Sequence, residues 1–133
     1  MPIMHHICIQ TNDYPASLAF YQKLGFTIFK TSQNFHGRAY NTWLQLADFY
    51  IELQTGKTPL TAGTDLNHTG LVHFGLMVSD LPSYVAQLAL PDKCFRLKNK
   101  QVIYEVFGSR LCKVVAPEGT IIELRDSPIE VGD

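Results

Sequence analysis

Apolar and polar residues alternate along this chain with a period of two in some stretches and with a helical period in others, and the order of these stretches repeats. His6 opens an alternating run, with Ile7 and Ile9 on one side and Cys8 and Gln10 on the other. Asp13-Tyr14-Pro15 follows, which suits an aspartate N-cap with proline in the first helical turn. Leu18, Phe20, Tyr21 and Leu24 then form a roughly helical stripe that ends at Gly25, so the pattern predicts a strand and then a helix over about Tyr14 to Leu24. Three further strands are expected at Phe26 to Ser32, Gly37 to Leu46 and Phe49 to Gln54, the last two joined across Ala47-Asp48. A polar stretch rich in glycine and proline, over 56–69, reads as a linker.

The second half begins the same way. His73-Phe-Gly-Leu-Met-Val-Ser-Asp80 follows the design of His6-Ile-Cys-Ile-Gln-Thr-Asn-Asp13, and Asp80-Leu81-Pro82 repeats the cap and proline. The pattern predicts a strand over Leu71 to Val78 and a helix from Leu81 to about Leu90, stopped by Pro91. Strands near Gln101 to Phe107 and Arg110 to Val115 should meet over Gly108-Ser109, and a last strand should run over Thr120 to Leu124. The halves also close alike, as Tyr50-Ile51-Glu52-Leu53-Gln54 and Ile121-Ile122-Glu123-Leu124-Arg125. The order is βαβββ twice, an α+β arrangement. Halves this small bury too little surface to be secure alone, so residues 1–133 are expected to form one domain of two modules, about 1–55 and 70–126. The tail from Asp126 to Asp133 is expected to fray or dock loosely.

Composition narrows the functional classes. With 46% hydrophobic and 17% charged residues the chain is an ordinary globular one, and its net charge of −1 with scattered Lys and Arg offers no footprint for nucleic acid or an anionic membrane. No stretch of eighteen apolar residues is present, and the opening MPIMHHICIQTND lacks a signal-peptide pattern, so a cytoplasmic protein is expected. Cys8, Cys94 and Cys112 form no CxxC pair and read as reduced thiols.

Alternate residues of a strand share a face. His6 therefore lies with Cys8 and Gln10, and His73 with Gly75 and Met77, while the bulkier aliphatic rows take the opposite face, beneath the helices. By the same parity Glu52 groups with Tyr50 and Gln54, Glu123 groups with Ile121 and Arg125, and His5 falls opposite His6. A strand carboxylate flanked by aliphatics is costly to bury unless a cation compensates it. A single strand histidine is most often a hydrogen-bonded core residue and a single strand glutamate a solvated one, but four in matching places of a repeat argue for a shared task. Two imidazoles and two carboxylates suit a catalytic site for one divalent ion, with Zn, Ni, Co, Mn and Fe all compatible. His36 and His68 lie near loops and read as solvent-exposed. Trp43, Phe49 and Tyr50 are candidates for apolar pocket walls, and only one of Tyr104 and Glu105 should look inward.

The segments His6-Ile-Cys-Ile-Gln-Thr-Asn-Asp13, Ser17-Leu-Ala-Phe-Tyr-Gln-Lys-Leu-Gly-Phe26 and Ala116-Pro-Glu-Gly-Thr-Ile-Ile-Glu-Leu124 resemble the glyoxalase/bleomycin-resistance/ring-cleaving dioxygenase superfamily, also called vicinal oxygen chelate. The resemblance implies a glyoxalase-like fold, two βαβββ modules whose cupped mixed sheets surround a metal. The ligands come from the first and last strand of each module, here His6, Glu52, His73 and Glu123. With all four places occupied the chain is most similar to the lactoylglutathione lyase (glyoxalase I) branch. That implies a metal-dependent lyase or isomerase moving a proton between neighbouring carbons of a methylglyoxal-thiol adduct, with Glu123 as the base and Glu52 serving the opposite hydrogen. In glutathione-using relatives an Arg stands four residues after the first-strand His and an Asn four after the first Glu. Here those places hold Gln10 and Gly56, with Arg38, Lys100, Arg110 and Arg125 as the available cations, so the substrate stays open. The same resemblance implies two alternatives. One is a non-haem Fe(II) ring-cleaving dioxygenase using His6, His73 and Glu123, with Glu52 surplus. The other is a metal-free small-molecule (antibiotic) binding module. An epimerase acting beside a thioester carbonyl needs similar proton chemistry. Family members complete the cup within one chain or between two, and a homodimer is expected here.

Overall fold

The computed structural model of the protein describes residues 1–63 and 66–129. Residues 64 and 65 of the expected linker and 130–133 of the expected tail lie outside the described residues. The chain divides into two compact units, Met1–Ala62 and Gly63–Asp133. In the first, β1 (His6–Thr11), α1 (Tyr14–Leu24), β2 (Thr27–Phe35), β3 (Arg38–Leu46) and β4 (Phe49–Thr55) build a sheet of order β1-β4-β3-β2. In the second, β5 (His73–Met77), α2 (Leu81–Leu88), a short 3-10 turn at Asp92–Cys94, β6 (Tyr104–Val106), β7 (Ser109–Val115) and β8 (Ile121–Arg125) give the order β5-β8-β7-β6. Each sheet is mixed, since the first strand runs parallel to the last (β1 to β4, β5 to β8) and the other pairs are antiparallel. This is the α+β arrangement of two βαβββ modules expected from the pattern.

Local signals set the helix ends. Asp13 Oδ1 accepts from the Ala16 N–H at 3.1 Å and Asp80 Oδ1 from the Ser83 N–H at 3.2 Å, each satisfying one of the free donors of a first turn. Gly25, at φ 114°, closes α1 in the left-handed region. Helix α2 stops at Leu88 rather than Leu90, because Ala89 turns left-handed (φ 52°) and a residue before proline, here Leu90 before Pro91, is pushed out of the helical region. Helices this short are marginal by themselves and are held by the face they bury. Phe20, Tyr21 and Leu24 are buried in the first unit along with Leu44, Ile51 and Leu53 of its sheet, and Leu81 and Leu88 are buried in the second along with Val114, Ile122 and Leu124.

Turn chemistry accounts for the strands that differ from expectation. Strand β2 runs on to Phe35 because its hairpin turns at His36-Gly37, both left-handed (φ 48° and 79°), as a two-residue type I′ turn needs. The second hairpin turns at Phe107-Gly108 (φ 50° and 79°), one residue earlier than Gly108-Ser109, so Ser109 begins β7. Strand β6 starts at Tyr104 rather than Gln101. Lys98 and Gln101 exchange both backbone bonds with each other, at 3.1 and 2.9 Å, around left-handed Asn99 and Lys100, and those groups are lost to the ladder.

Asp126, just past β8, ties the end of the sheet to α2. Its Oδ2 accepts from the Leu81 N–H at 2.8 Å, and Arg110 donates from Nε to both carboxylate oxygens (3.1 and 3.0 Å) and from Nη2 at 2.7 Å. The Arg110 hydrogen bonds, then the Leu81 amide, hold the carboxyl below its ordinary 3.8. A depressed folded value means that this contribution to stability is present above the unfolded pKa and is lost as the pH falls through the folded one. Asp126→Asn should therefore lower the thermal midpoint at neutral pH. The gap to the wild type should close as the pH is taken below about 3.8, as unfolding scans across that range will show.

Candidate functional site

In the second unit the parallel register sets Gly75 opposite Glu123 and His73 opposite Ile121. His73 and Glu123 are therefore diagonal neighbours on the face away from the buried Ile122 and Leu124. His73 Nε2 lies 3.6 Å from Glu123 Oε1. Two donors each about 2.1 Å from one ion at a tetrahedral angle stand roughly 3.4 Å apart, so the pair is spaced as neighbouring ligands would be. His73 Nδ1 is buried without a hydrogen-bond partner among the described residues, which leaves this imidazole incompletely satisfied. Gly75 puts no side chain beside the carboxylate; a Cβ there would already touch the Glu123 carbonyl oxygen at 3.6 Å.

The other oxygen of Glu123 faces Arg125, whose Nη1 is 3.4 Å from Oε2 and whose Nε donates to the Ser127 carbonyl at 2.9 Å. Glu123, Arg125 and Ser109 line a recess of about 310 Å³, at the small end of the range for small-molecule sites. Its other walls, Val106, Phe107, Leu111 and Ile129, are apolar. Tyr104 is the half-buried member of its pair and Glu105 the exposed one. Burial first, then the charge of Glu123, raises the Tyr104 phenol above its ordinary value.

The first unit repeats the diagonal, with Glu52 opposite Cys8 and His6 opposite Tyr50. Here the place of Gly75 belongs to Cys8, whose thiol lies under the influence of the Glu52 carboxylate. The ion pairs among the described residues do not join His6 to Glu52. His6 instead meets its neighbour, Nδ1 to Nδ1 at 2.9 Å with His5, and packs edge-on to Trp43 at 4.8 Å. His5 thus lies on the side of His6 and not opposite, stacked on Tyr50 at 5.1 Å. Strict alternation fails for it because β1 begins only at His6. Trp43 and Tyr50 form an aromatic wall on this face, joined by Phe29. Arg38 donates from Nη1 to Gln10 Oε1 at 2.6 Å and to the Thr55 carbonyl at 2.9 Å.

Among the described residues no group of three or more His, Cys, Asp and Glu side chains is gathered at metal-holding distances. Each unit by itself offers one of the expected histidines and one of the expected glutamates, His6 with Glu52 and His73 with Glu123. In donor type these fit a first-row divalent ion, and in spacing the His73–Glu123 pair fits it too. Alternation already put Arg125 on the face of Glu123 and left it among several available cations; its contact with Glu123 Oε2 distinguishes it from Arg38, Lys100 and Arg110.

A family model described as the Glyoxalase/Bleomycin resistance protein/Dioxygenase superfamily matches residues 3–90. The chain belongs to this superfamily. No sequence among curated proteins matches it. Solved structures that share the superfamily fold include a glyoxalase family protein from Enterococcus faecalis, 21% identical with a TM-score of 0.72, the match covering 93% of this chain and 97% of that one. The trypanothione-dependent glyoxalase I of Leishmania major is 21% identical with a TM-score of 0.68, covering 95% of this chain and 87% of the other. A bleomycin-binding protein complexed with bleomycin is 19% identical with a TM-score of 0.59, covering 96% and 100%. At these identities the likeness is one of fold, and the fold serves both an enzyme and a binder.

Cys8 gives a direct check on the first pair. It keeps some solvent access as a residue, yet burial and then the negative charge of Glu52 push its thiol up to about 11 from 9.0. Alkylation of Cys8 in chelator-treated protein, followed by peptide mass spectrometry, should have its pH midpoint near that value and move down in Glu52→Gln. A wild-type midpoint near 9.0 would separate the thiol from the carboxylate.

Proposed function

We propose that this superfamily member is a metal-dependent lyase or isomerase of the glyoxalase I type. In this reading His6, Glu52, His73 and Glu123 hold one divalent ion, Zn, Ni, Co, Mn or Fe, and Glu123 moves a proton between adjacent carbons of a small oxygenated substrate such as a methylglyoxal-thiol adduct. The observation that carries it is the His73–Glu123 pair, whose Nε2 and Oε1 stand 3.6 Å apart, at ligand-like spacing. When bound, the ion supplies Lewis-acid polarisation of the substrate's oxygens.

The chain's own residues do the rest. Glu123 has Arg125 beside one oxygen and His73 beside the other, so the side chain that would move the proton is held from both sides. Its side chain is 16% exposed, so a substrate in the recess reaches it while bulk water is largely kept away. Glu52 serves the opposite hydrogen. Arg38, hung on Gln10, brings a cation to the place where glutathione-using relatives carry an Arg, which supports an anionic thiol adduct. The reading includes a homodimer, and a cytoplasmic setting in keeping with the free thiols Cys8, Cys94 and Cys112.

A second reading, a metal-free small-molecule binder, draws on the lack of any gathered group of three donors among the described residues. Metal titration separates the two. In the first reading chelator-treated protein gains thermal stability with at least one of the five ions, by about 2.7 kcal/mol at a hundredfold excess over the dissociation constant. Glu123→Gln then loses about 10²–10⁴-fold in turnover of a methylglyoxal-thiol adduct. Circular dichroism should show its fold unchanged. An unshifted midpoint with every ion, together with absent turnover in the wild type, would favour the binder.

A further inference from the structure

The turn between β6 and β7 is built from the wrong residue for its geometry. A two-residue type I′ turn asks for left-handed backbone at both central positions, and Asn-Gly meets that demand with least strain. Here the first position is Phe107, at φ 50°, a region a bulky aromatic side chain avoids. Core packing does not explain it, since Phe107 is 85% exposed. Backbone strain kept at an exposed position points to a task for the side chain. Phe107 lies at the recess that holds Glu123 and Arg125, beside two more exposed apolar residues, Val106 and Ile129.

Arg125 is the cation of that recess. Its side chain is 19% exposed, and its Nε is anchored on the Ser127 carbonyl. Its contact with Glu123 is long, at 3.4 Å, which leaves most of the guanidinium fork for another acceptor. The planar fork has donors to spare beyond Glu123, and it matches a carboxylate in shape. A second carboxylate on the ligand would meet no further cation among the described residues that line the recess.

We propose that the recess of the second unit selects small monocarboxylic acids carrying an apolar group, with Arg125 taking the carboxylate and Phe107 covering the apolar group. This rests on the reading of Glu123 as the proton-moving residue, since it names the class of substrate brought to it. Phe107 is the specificity residue for size and Arg125 the one for charge.

The test uses the full chain, isotope-labelled and chelator-treated, so that failure of the metal reading leaves it untouched. Three probes are titrated and followed by backbone amide shifts: α-ketoisocaproate, its uncharged methyl ester, and pyruvate, which keeps the acid but lacks most of the apolar group. Shifts should centre on residues 106–111 and 123–127, and α-ketoisocaproate should bind about tenfold more tightly than the ester, as a charge-assisted hydrogen bond implies. Arg125→Gln should erase that difference. Phe107→Asn should raise the thermal midpoint, because Asn suits the turn, yet bring α-ketoisocaproate down to the level of pyruvate. A merely structural Phe107 would not split stability from binding in this way. The proposal is overturned if the wild type binds acid and ester alike, if the shifts fall elsewhere, or if Phe107→Asn keeps the preference for α-ketoisocaproate over pyruvate.

Discussion

The parallel pairing of the first and last strand in each unit, β1 with β4 and β5 with β8, is the constraint on which the rest depends. Because side chains alternate along a strand, this pairing and its register decide which residues meet on the open face. A slip of one residue in β5 would turn His73 toward α2 and bring Phe74 and Leu76 out beside Glu123. The full burial of Ile122 and Leu124 fixes the facing of β8 and so of Glu123, while the half-buried Phe74 and Leu76 of β5 oppose the slip that would turn His73 away.

The two units use this one device differently. Gly75 puts no side chain beside Glu123, which meets His73 and Arg125, whereas Cys8 holds the equivalent place beside Glu52, and the ion pairs among the described residues do not join Glu52 to His6. The hairpins diverge too, with His36 and Phe107 at the same left-handed position of matching turns. Duplication therefore supplies the scaffold twice, while the second unit carries the recess beside its carboxylate.

Much of this was legible in the residues because it rests on short-range rules. Asp13 and Asp80 before prolines marked both helix starts, and alternation placed His6 with Cys8 and Glu52 with Tyr50 without any coordinates. What alternation could not show was where a strand begins. His5 was misplaced for that reason, and β6 lost its first residues to a local turn closed by Lys98 and Gln101. Hairpin centres were also hidden, since nothing in the composition of Val106-Phe107-Gly108-Ser109 announces a phenylalanine with positive φ. Family membership was carried by the motifs themselves and is shared by enzymes and binders on one fold, so the reaction has to be argued from Glu123 and its neighbours.

The central claim is that the imidazoles and carboxylates of the duplicated strands hold one ion. X-ray absorption spectroscopy of the full chain loaded with a single equivalent of cobalt addresses it most directly, because imidazole, carboxylate and thiolate donors scatter differently. The account predicts two imidazole nitrogens with the remaining donors oxygen and no sulfur. A shell without imidazole, or one containing the Cys8 sulfur, would contradict it.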